Sequence, residues 1–188
     1  MGCFSSKDFQ SNGKKKYGVV LIGLDGAGAT TILYFLKLGK QMMTMPTLGC
    51  NTETVQYGDS ELVIWDIGGL DKVRSLWSEF SKDAQGVIFV VDAYDRERIP
   101  QAKEALFNFL KTQKQSDRKV PLLVFANKQD KEGALSPAEI ANELELHKLA
   151  LQSYQVVPCS GKTGEGLSDG MNWLLSEFKK NVNAGDRK

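Results

Sequence analysis

Apolar runs of strand length recur along the chain, separated by stretches with helical spacing. The first run, 17–22, stops abruptly at Gly23. Over 30–38, residues Ile32, Leu33, Phe35, Leu36 and Leu38 fall at helical intervals. Residues 51–57 alternate as a strand, Tyr57-Gly58-Asp59-Ser60 reads as a turn, and 61–67 returns as the second arm of a hairpin. Continuous apolar runs at 86–92 and 120–127 have the character of buried parallel strands, and 154–159 is a shorter one. Helical patterns cover 99–113, 137–150 and 166–180, with Ser136-Pro137-Ala138-Glu139 forming a capping-box start. Strands alternating with helices predict one α/β domain, a mainly parallel sheet covered on both faces. Residues 1–16 are polar and read as an arm outside the fold. The domain spans 17–181, and 182–188 form a polar tail.

Composition narrows the picture only a little. With 188 residues the chain can bury a full core. A formal net charge of +1 gives no reason to expect nucleic acid as a partner. No stretch approaches the ~20 apolar residues of a membrane span. Cys3, Cys50 and Cys159 are too scattered for a metal site, so reduced thiols in the cytosol are expected.

The chemistry concentrates in short motifs at strand ends. Gly23-Leu24-Asp25-Gly26-Ala27-Gly28-Ala29-Thr30-Thr31 stands between a strand and a helix start, where a phosphate-binding P-loop belongs. Gly23 and Gly28 let the backbone curl so that its N–H groups face phosphate oxygens, and Thr30 offers a hydroxyl to Mg²⁺. The lysine such a loop normally carries is Ala29. Asp66-Ile67-Gly68-Gly69 follows the hairpin strand; there Asp66 can hold Mg²⁺ through water and Gly69 can present its N–H to a γ-phosphate. Asn127-Lys128-Gln129-Asp130 follows another buried strand, where Asp130 can accept two hydrogen bonds from guanine that adenine does not offer. The Lys128 stem can lie along the base. Cys159-Ser160-Gly161 closes the last strand, with backbone N–H groups able to face the guanine oxygen. Thr47, in the loop after the first helix, can meet Mg²⁺ when a γ-phosphate draws that loop in. Each motif alone is an ordinary polar turn; their order along one chain is what carries the reading. His147 has no Ser, Cys or acidic partner set and reads as a surface or cap residue.

Together these pieces resemble the Ras-like small GTPases, and more closely their Arf/Arl branch. The resemblance rests on Gly23-Leu24-Asp25, Thr30-Thr31-Ile32-Leu33-Tyr34, Pro46-Thr47-Leu48-Gly49, Trp65-Asp66-Ile67-Gly68-Gly69, Phe89-Val90-Val91-Asp92 and Ala126-Asn127-Lys128-Gln129-Asp130, and it runs from about residue 17 to 178. It implies the P-loop small G-protein fold: six mostly parallel strands in order 2-3-1-4-5-6, one antiparallel edge, and helices on both faces. It also implies GTP/GDP with Mg²⁺ and two loops, near 40–50 and 67–80, that reorganise around the γ-phosphate. Exchange factors and effectors are expected around Leu48, Cys50, Trp65 and Phe80. The chain is expected to be a monomer.

The N-terminus agrees with that branch on separate chemistry. Met1-Gly2-Cys3-Phe4-Ser5-Ser6 matches a myristoylation pattern, with Gly2 as acceptor. A single myristoyl chain binds marginally, so a second signal is needed. Cys3, by palmitoylation, and Lys14-Lys15-Lys16, at roughly 1 kcal/mol per basic residue near anionic lipid, are the candidates. The expected location is the cytoplasmic side of a Golgi, endosomal or plasma membrane, exchanging with cytosol, in vesicle trafficking or membrane recruitment.

Departures from the family pattern alter the expected mechanism. Leu70 stands where the family's water-orienting glutamine belongs, so no catalytic residue is assigned and hydrolysis is expected to be very slow. Ala29 removes a charge-assisted contact worth about 1.5–3 kcal/mol, ten- to more than a hundredfold in affinity. A substitute cation from Lys14, Lys15 or Lys16 is one alternative. Cys50 shrinks the family's aromatic effector patch. Another alternative is a pseudo-GTPase, a lipid-anchored interaction module with weak or no nucleotide cycling. An ATP-using P-loop kinase is disfavoured by Asp130.

Overall fold

A computed structural model of the chain describes residues 10–11, 14–113, 120–149, 151 and 153–185. The acylation expectations at Gly2 and Cys3 lie outside the described residues. Strand β1 is the two-residue Gln10–Ser11, and β2 is Lys14–Gly23. Helix α1, Ala29–Leu38, leads to the hairpin of β3, Cys50–Tyr57, and β4, Ser60–Ile67. Then come α2, Leu76–Ser81; β5, Gly86–Asp92; and α3, Ile99–Gln113. The chain finishes with β6, Leu122–Asn127; α4, Pro137–Glu143; β7, Tyr154–Pro158; and α5, Leu167–Gly185.

The sheet order is β3-β4-β2-β5-β6-β7, with β3 antiparallel to β4 and the other neighbours in this path parallel. This is the six-stranded arrangement expected, extended by β1, which pairs antiparallel to β2 through Gln10↔Lys15 and Ser11↔Lys14. Alternation along β2 shows why helices cover both faces. Val19 and Leu21 join the cluster under α1 and α5, with Ile32, Leu33, Met171 and Leu174. Val20 and Ile22 join the opposite cluster under α2, α3 and α4, with Trp77, Leu106, Phe109 and Ile140. A strand buried on both sides has no polar register, and its side chains fall on the two faces by period two. Trp77 anchors the second layer, meeting Phe89 and Phe109 edge-on at 6.3 and 6.1 Å between centroids.

Two element boundaries differ from expectation for physical reasons. The helical pattern of 137–150 ends as a helix at Glu143. Glu145 takes a left-handed backbone, φ 50°, and a short 3₁₀ turn, Leu146–Lys148, follows. Leu144 and Leu146, two residues apart, are both fully buried, which a continuing α-helix would not achieve on one face. The first long strand starts at Lys14 rather than at residue 17, because Lys15↔Ser60 and Lys16↔Glu61 continue the pairing with β4. Lys14 donates to Gln56 and Lys16 pairs with Glu61 at 3.0 Å, so two of these three lysines already have local partners. They stand at the far end of β2 from the P-loop, about 25 Å of extended chain away. They therefore do not replace the missing P-loop cation.

Parallel strands put all their carboxyl ends on one edge. Gly23, Ile67, Asp92, Asn127 and Pro158 end β2, β4, β5, β6 and β7 there, and the P-loop and the motifs at Asp66, Asn127 and Cys159 lie at these ends, with Thr47 in the loop between α1 and β3. That edge is where open α/β sheets bind ligands. Among the described residues no helix is long and apolar enough to cross a membrane.

Candidate functional site

Gly28 is the turning point of the P-loop. It occupies the left-handed region at φ 98°, immediately before α1, and no side chain caps the helix. The N–H groups of the first helical turn have no partner within the helix, and they open with a positive partial charge onto whatever lies in front. A Cβ on Gly28 would stand 2.4 Å from Asn127 Nδ2, so only glycine allows that approach. Asn127 Nδ2 donates to the Ala27 carbonyl at 2.8 Å, while its Oδ1 accepts from the Gly161 N–H at 2.9 Å. One buried amide thus ties the P-loop, the end of β6 and the loop after β7 together.

In front of the loop, three oxygens from three segments converge. Thr30 Oγ1 donates to Asp66 Oδ2 at 2.7 Å, Thr47 Oγ1 lies 3.4 Å from the same oxygen, and the two hydroxyls are 2.9 Å apart. Asp66 is 1% exposed. Burial pushes its carboxyl up, against the lowering pull of the Thr30 and Thr47 hydroxyls. Among the described residues no group of three or more His, Cys, Asp or Glu side chains is placed to hold a metal. A divalent ion here would need its remaining oxygens from water and phosphate, which is how Mg²⁺ is usually held. The two hydroxyls and one carboxylate fit that division.

Gly69 packs directly on the P-loop backbone. A Cβ there would meet Asp25 N and Gly23 O, each at 2.3 Å. The carbonyls beside it are held as well: Arg74 Nε donates to Gly69 O at 2.7 Å and Trp77 Nε1 to Gly68 O at 3.1 Å. Thr31 Oγ1 lies 3.1 Å from Thr44 Oγ1, tying α1 to the loop that carries Thr47. Gly23, Asp25, Gly26, Gly28, Ala29, Thr30, Thr31, Thr47, Asp66, Gly69, Leu70 and Lys128 all line one cleft of about 300 Å³. Leu70 offers it only carbon, and the Ala29 methyl packs against the core under α1.

The base-facing residues form a second cluster beside it. Lys128 has a left-handed backbone, φ 70°, uncommon for a side chain of its size, and its Nζ pairs with Asp92 at 2.5 Å. Asp130 is exposed, and its Oδ1 accepts from Ser160 Oγ at 2.7 Å. Ser160 Oγ in turn accepts from the N–H groups of Lys162 and Thr163. Cys159 is buried, its thiol pushed far up by desolvation and directed at Asn127 Oδ1 at 3.7 Å. Asn127 and Ser160 thus link the motif after β6 to the P-loop and to the turn after β7, while Gly2 and Cys3 lie outside the described residues.

A structural match joins this geometry. The sequence profile described as the ADP-ribosylation factor family matches residues 4–178. The chain belongs to the Arf family. Among solved structures it is similar to the Arl6 (BBS3) small GTPase of Trypanosoma brucei, determined with bound nucleotide analogue GppNp. The two are 32% identical, the match covers 88% of this chain and 99% of that one, and the TM-score is 0.81.

One residue of the expected partner patch is closed off: Trp65 is only 7% exposed and covers Gly18, whereas Phe80 is half-buried against the core. Leu48 at 80% and Met43 at 100% exposure, with Met45 and Cys50, form the open apolar surface of that region of the Arf chain. Sequence reasoning also missed Arg74, which holds Gly69 O, and Arg98, whose Nη1 donates to the Asp25 carbonyl at 3.1 Å. Arg98 follows β5 at the functional edge within Asp95-Arg96-Glu97-Arg98, and that position was its only signal. Asn127→Ala would leave Ala27 O and Gly161 N without their buried partner, at about 1–3 kcal/mol each. Urea unfolding of the variant is expected to show a loss of about 2–6 kcal/mol for the two groups together; unchanged stability would contradict the bracing role.

Proposed function

We propose that this Arf-family chain is a membrane-associated guanine-nucleotide-binding protein, a GTP/GDP switch in vesicle trafficking or membrane recruitment, with very slow hydrolysis. The observation that carries this reading is the meeting of Thr30, Thr47 and Asp66 at the open end of the P-loop. Thr47 reaches Asp66 from a loop that is otherwise exposed, as a γ-phosphate sensor must. Mg²⁺ supplies charge that screens the phosphates and offsets the cost of burying an ionised Asp66. The N–H groups around Gly26, Gly28, Ala29 and Thr30 cradle phosphate, and Gly69 faces the γ-position. Asp130, oriented by Ser160, accepts from guanine while the Lys128 stem covers the base. The Arl6 structure was solved with bound nucleotide analogue GppNp, which supports the same ligand class here.

Leu70 borders the cleft without a hydrogen-bonding group, so no side chain at that position orients an attacking water. Ala29 removes the lysine that would contact the β- and γ-phosphates. These two residues together favour a second reading, a lipid-anchored pseudo-GTPase that binds partners and does not cycle. Anchoring rests on Gly2, with Cys3 as second signal; the pairing of Lys14 and Lys16 leaves the basic cluster a smaller part in it. Exchange factors and effectors would meet the exposed loop of Met43, Met45, Leu48 and Cys50 on the cytoplasmic side of a Golgi, endosomal or plasma membrane.

Titration calorimetry is expected to give heat with Mg-GDP and Mg-GTP, and Ala29→Lys to tighten both by about tenfold or more. No heat with either nucleotide would favour the pseudo-GTPase. Single-turnover hydrolysis is expected to rise in Ala29→Lys combined with Leu70→Gln, and an unchanged rate would place the defect elsewhere. Mass spectrometry of the chain from eukaryotic cells should find myristate on Gly2, and a free Gly2 would remove the lipid anchor from this account.

A further inference from the structure

The P-loop of this chain carries an acid and no base. Asp25 stands at its tip and the lysine position is Ala29, so the loop's own formal charge is negative where phosphates are to sit. Anionic ligands would meet repulsion from Asp25 before they met the backbone N–H groups. Among the described residues three cations stand close to this loop: Arg74, which is taken up by Gly69 O and Asp71, Lys128 and Arg98. Lys128 is held by Asp92. Arg98 is not on the P-loop at all, yet it touches it.

The guanidinium of Arg98 is held from one side and applied on the other. Nε pairs with Asp95 Oδ2 at 2.6 Å, and the Asp95 carboxylate also accepts from the Arg98 N–H. Nη1 then donates to the Asp25 carbonyl at 3.1 Å and lies 3.5 Å from Asp25 Oδ2. A Cβ built on Gly26 would be 3.6 Å from Nη2, so the guanidinium runs alongside the loop as far as Gly26. Both partners are about two-fifths exposed, so solvent moderates the effect without removing it.

We propose that Arg98 serves as the P-loop's cation in this chain, a positioning residue that, shared between Asp95 and Asp25, offsets part of the Asp25 charge and so lets phosphate oxygens reach the loop's N–H groups. The proposal rests on the nucleotide-binding reading above. It makes Arg98 matter most when Ala29 is present, since a lysine at that position would supply the same charge from within the loop.

The test is the Mg-GDP affinity of the full chain in five forms: unaltered, Arg98→Ala, Asp25→Asn, Arg98→Ala with Asp25→Asn, and Arg98→Ala with Ala29→Lys. Arg98→Ala is expected to weaken binding by about tenfold. Adding Asp25→Asn, which deletes the charge Arg98 offsets, should restore most of that loss, and adding Ala29→Lys should restore it too. A merely structural Arg98 would not be rescued by Asp25→Asn; Ala29→Lys tightens binding whatever Arg98 does, so the Asp25→Asn arm is the one that discriminates. Arg98→Gln keeps a donor and drops the charge, so it carries the test if Arg98→Ala does not fold. Equal affinity of Arg98→Ala and the unaltered chain, or a loss that Asp25→Asn leaves in place, overturns the proposal. No binding by the unaltered chain instead overturns the nucleotide-binding reading itself, a separate outcome.

Discussion

The Asn127 side chain is the constraint on which the functional edge depends. It is 3% exposed, at the carboxyl end of β6, and its two polar atoms satisfy a P-loop carbonyl and a backbone N–H from the loop after β7. Buried amide groups tolerate few other arrangements, because every unpaired polar atom there carries a desolvation cost. Gly28 must be glycine for the amide to come so close, and the same residue turns the chain into α1. The phosphate-facing and base-facing halves of the site therefore share one fixed point.

Around that point the chain arranges charge differently from the P-loop pattern it otherwise follows. The loop keeps its glycines, its threonines and the Thr30–Asp66 contact but has no lysine of its own. Arg98, delivered by the turn after β5 and clamped by Asp95, supplies positive charge from outside the loop. Leu70 interrupts a hydrogen-bonded surround: its neighbour Gly69 is held by Arg74, and Gly68 by Trp77, yet its own side chain holds nothing. Binding geometry is thus retained while the group that would orient water is absent.

Much of this was legible because parallel strands and P-loops impose strict local demands. The runs at 86–92 and 120–127 declared themselves by continuous burial, and Ser136 with Glu139 made the capping box seen at α4. The motifs pointed to Thr30, Thr47 and Asp66 as Mg²⁺ neighbours, with Thr47 joining only when a γ-phosphate draws its loop in. Helical spacing over 137–150 misled, because Glu145 breaks the helix with a left-handed backbone that no local residue pattern announced. Trp65 misled in the other direction: a large ring in a strand reads equally as a patch or as core, and only the cover it gives Gly18 decides. Arg98 was invisible because its role lies in a contact 73 residues away in sequence.

The account holds that five strand-end segments act as one nucleotide site braced by Asn127. Amide hydrogen exchange with and without Mg-GDP tests this most directly. The account predicts joint protection of the P-loop, the Thr47 loop, the Asp66-to-Leu70 segment, 127–130 and 159–161, with the hairpin turn at Gly58 unchanged. Protection confined to one of these segments, or absent from all of them, would contradict it.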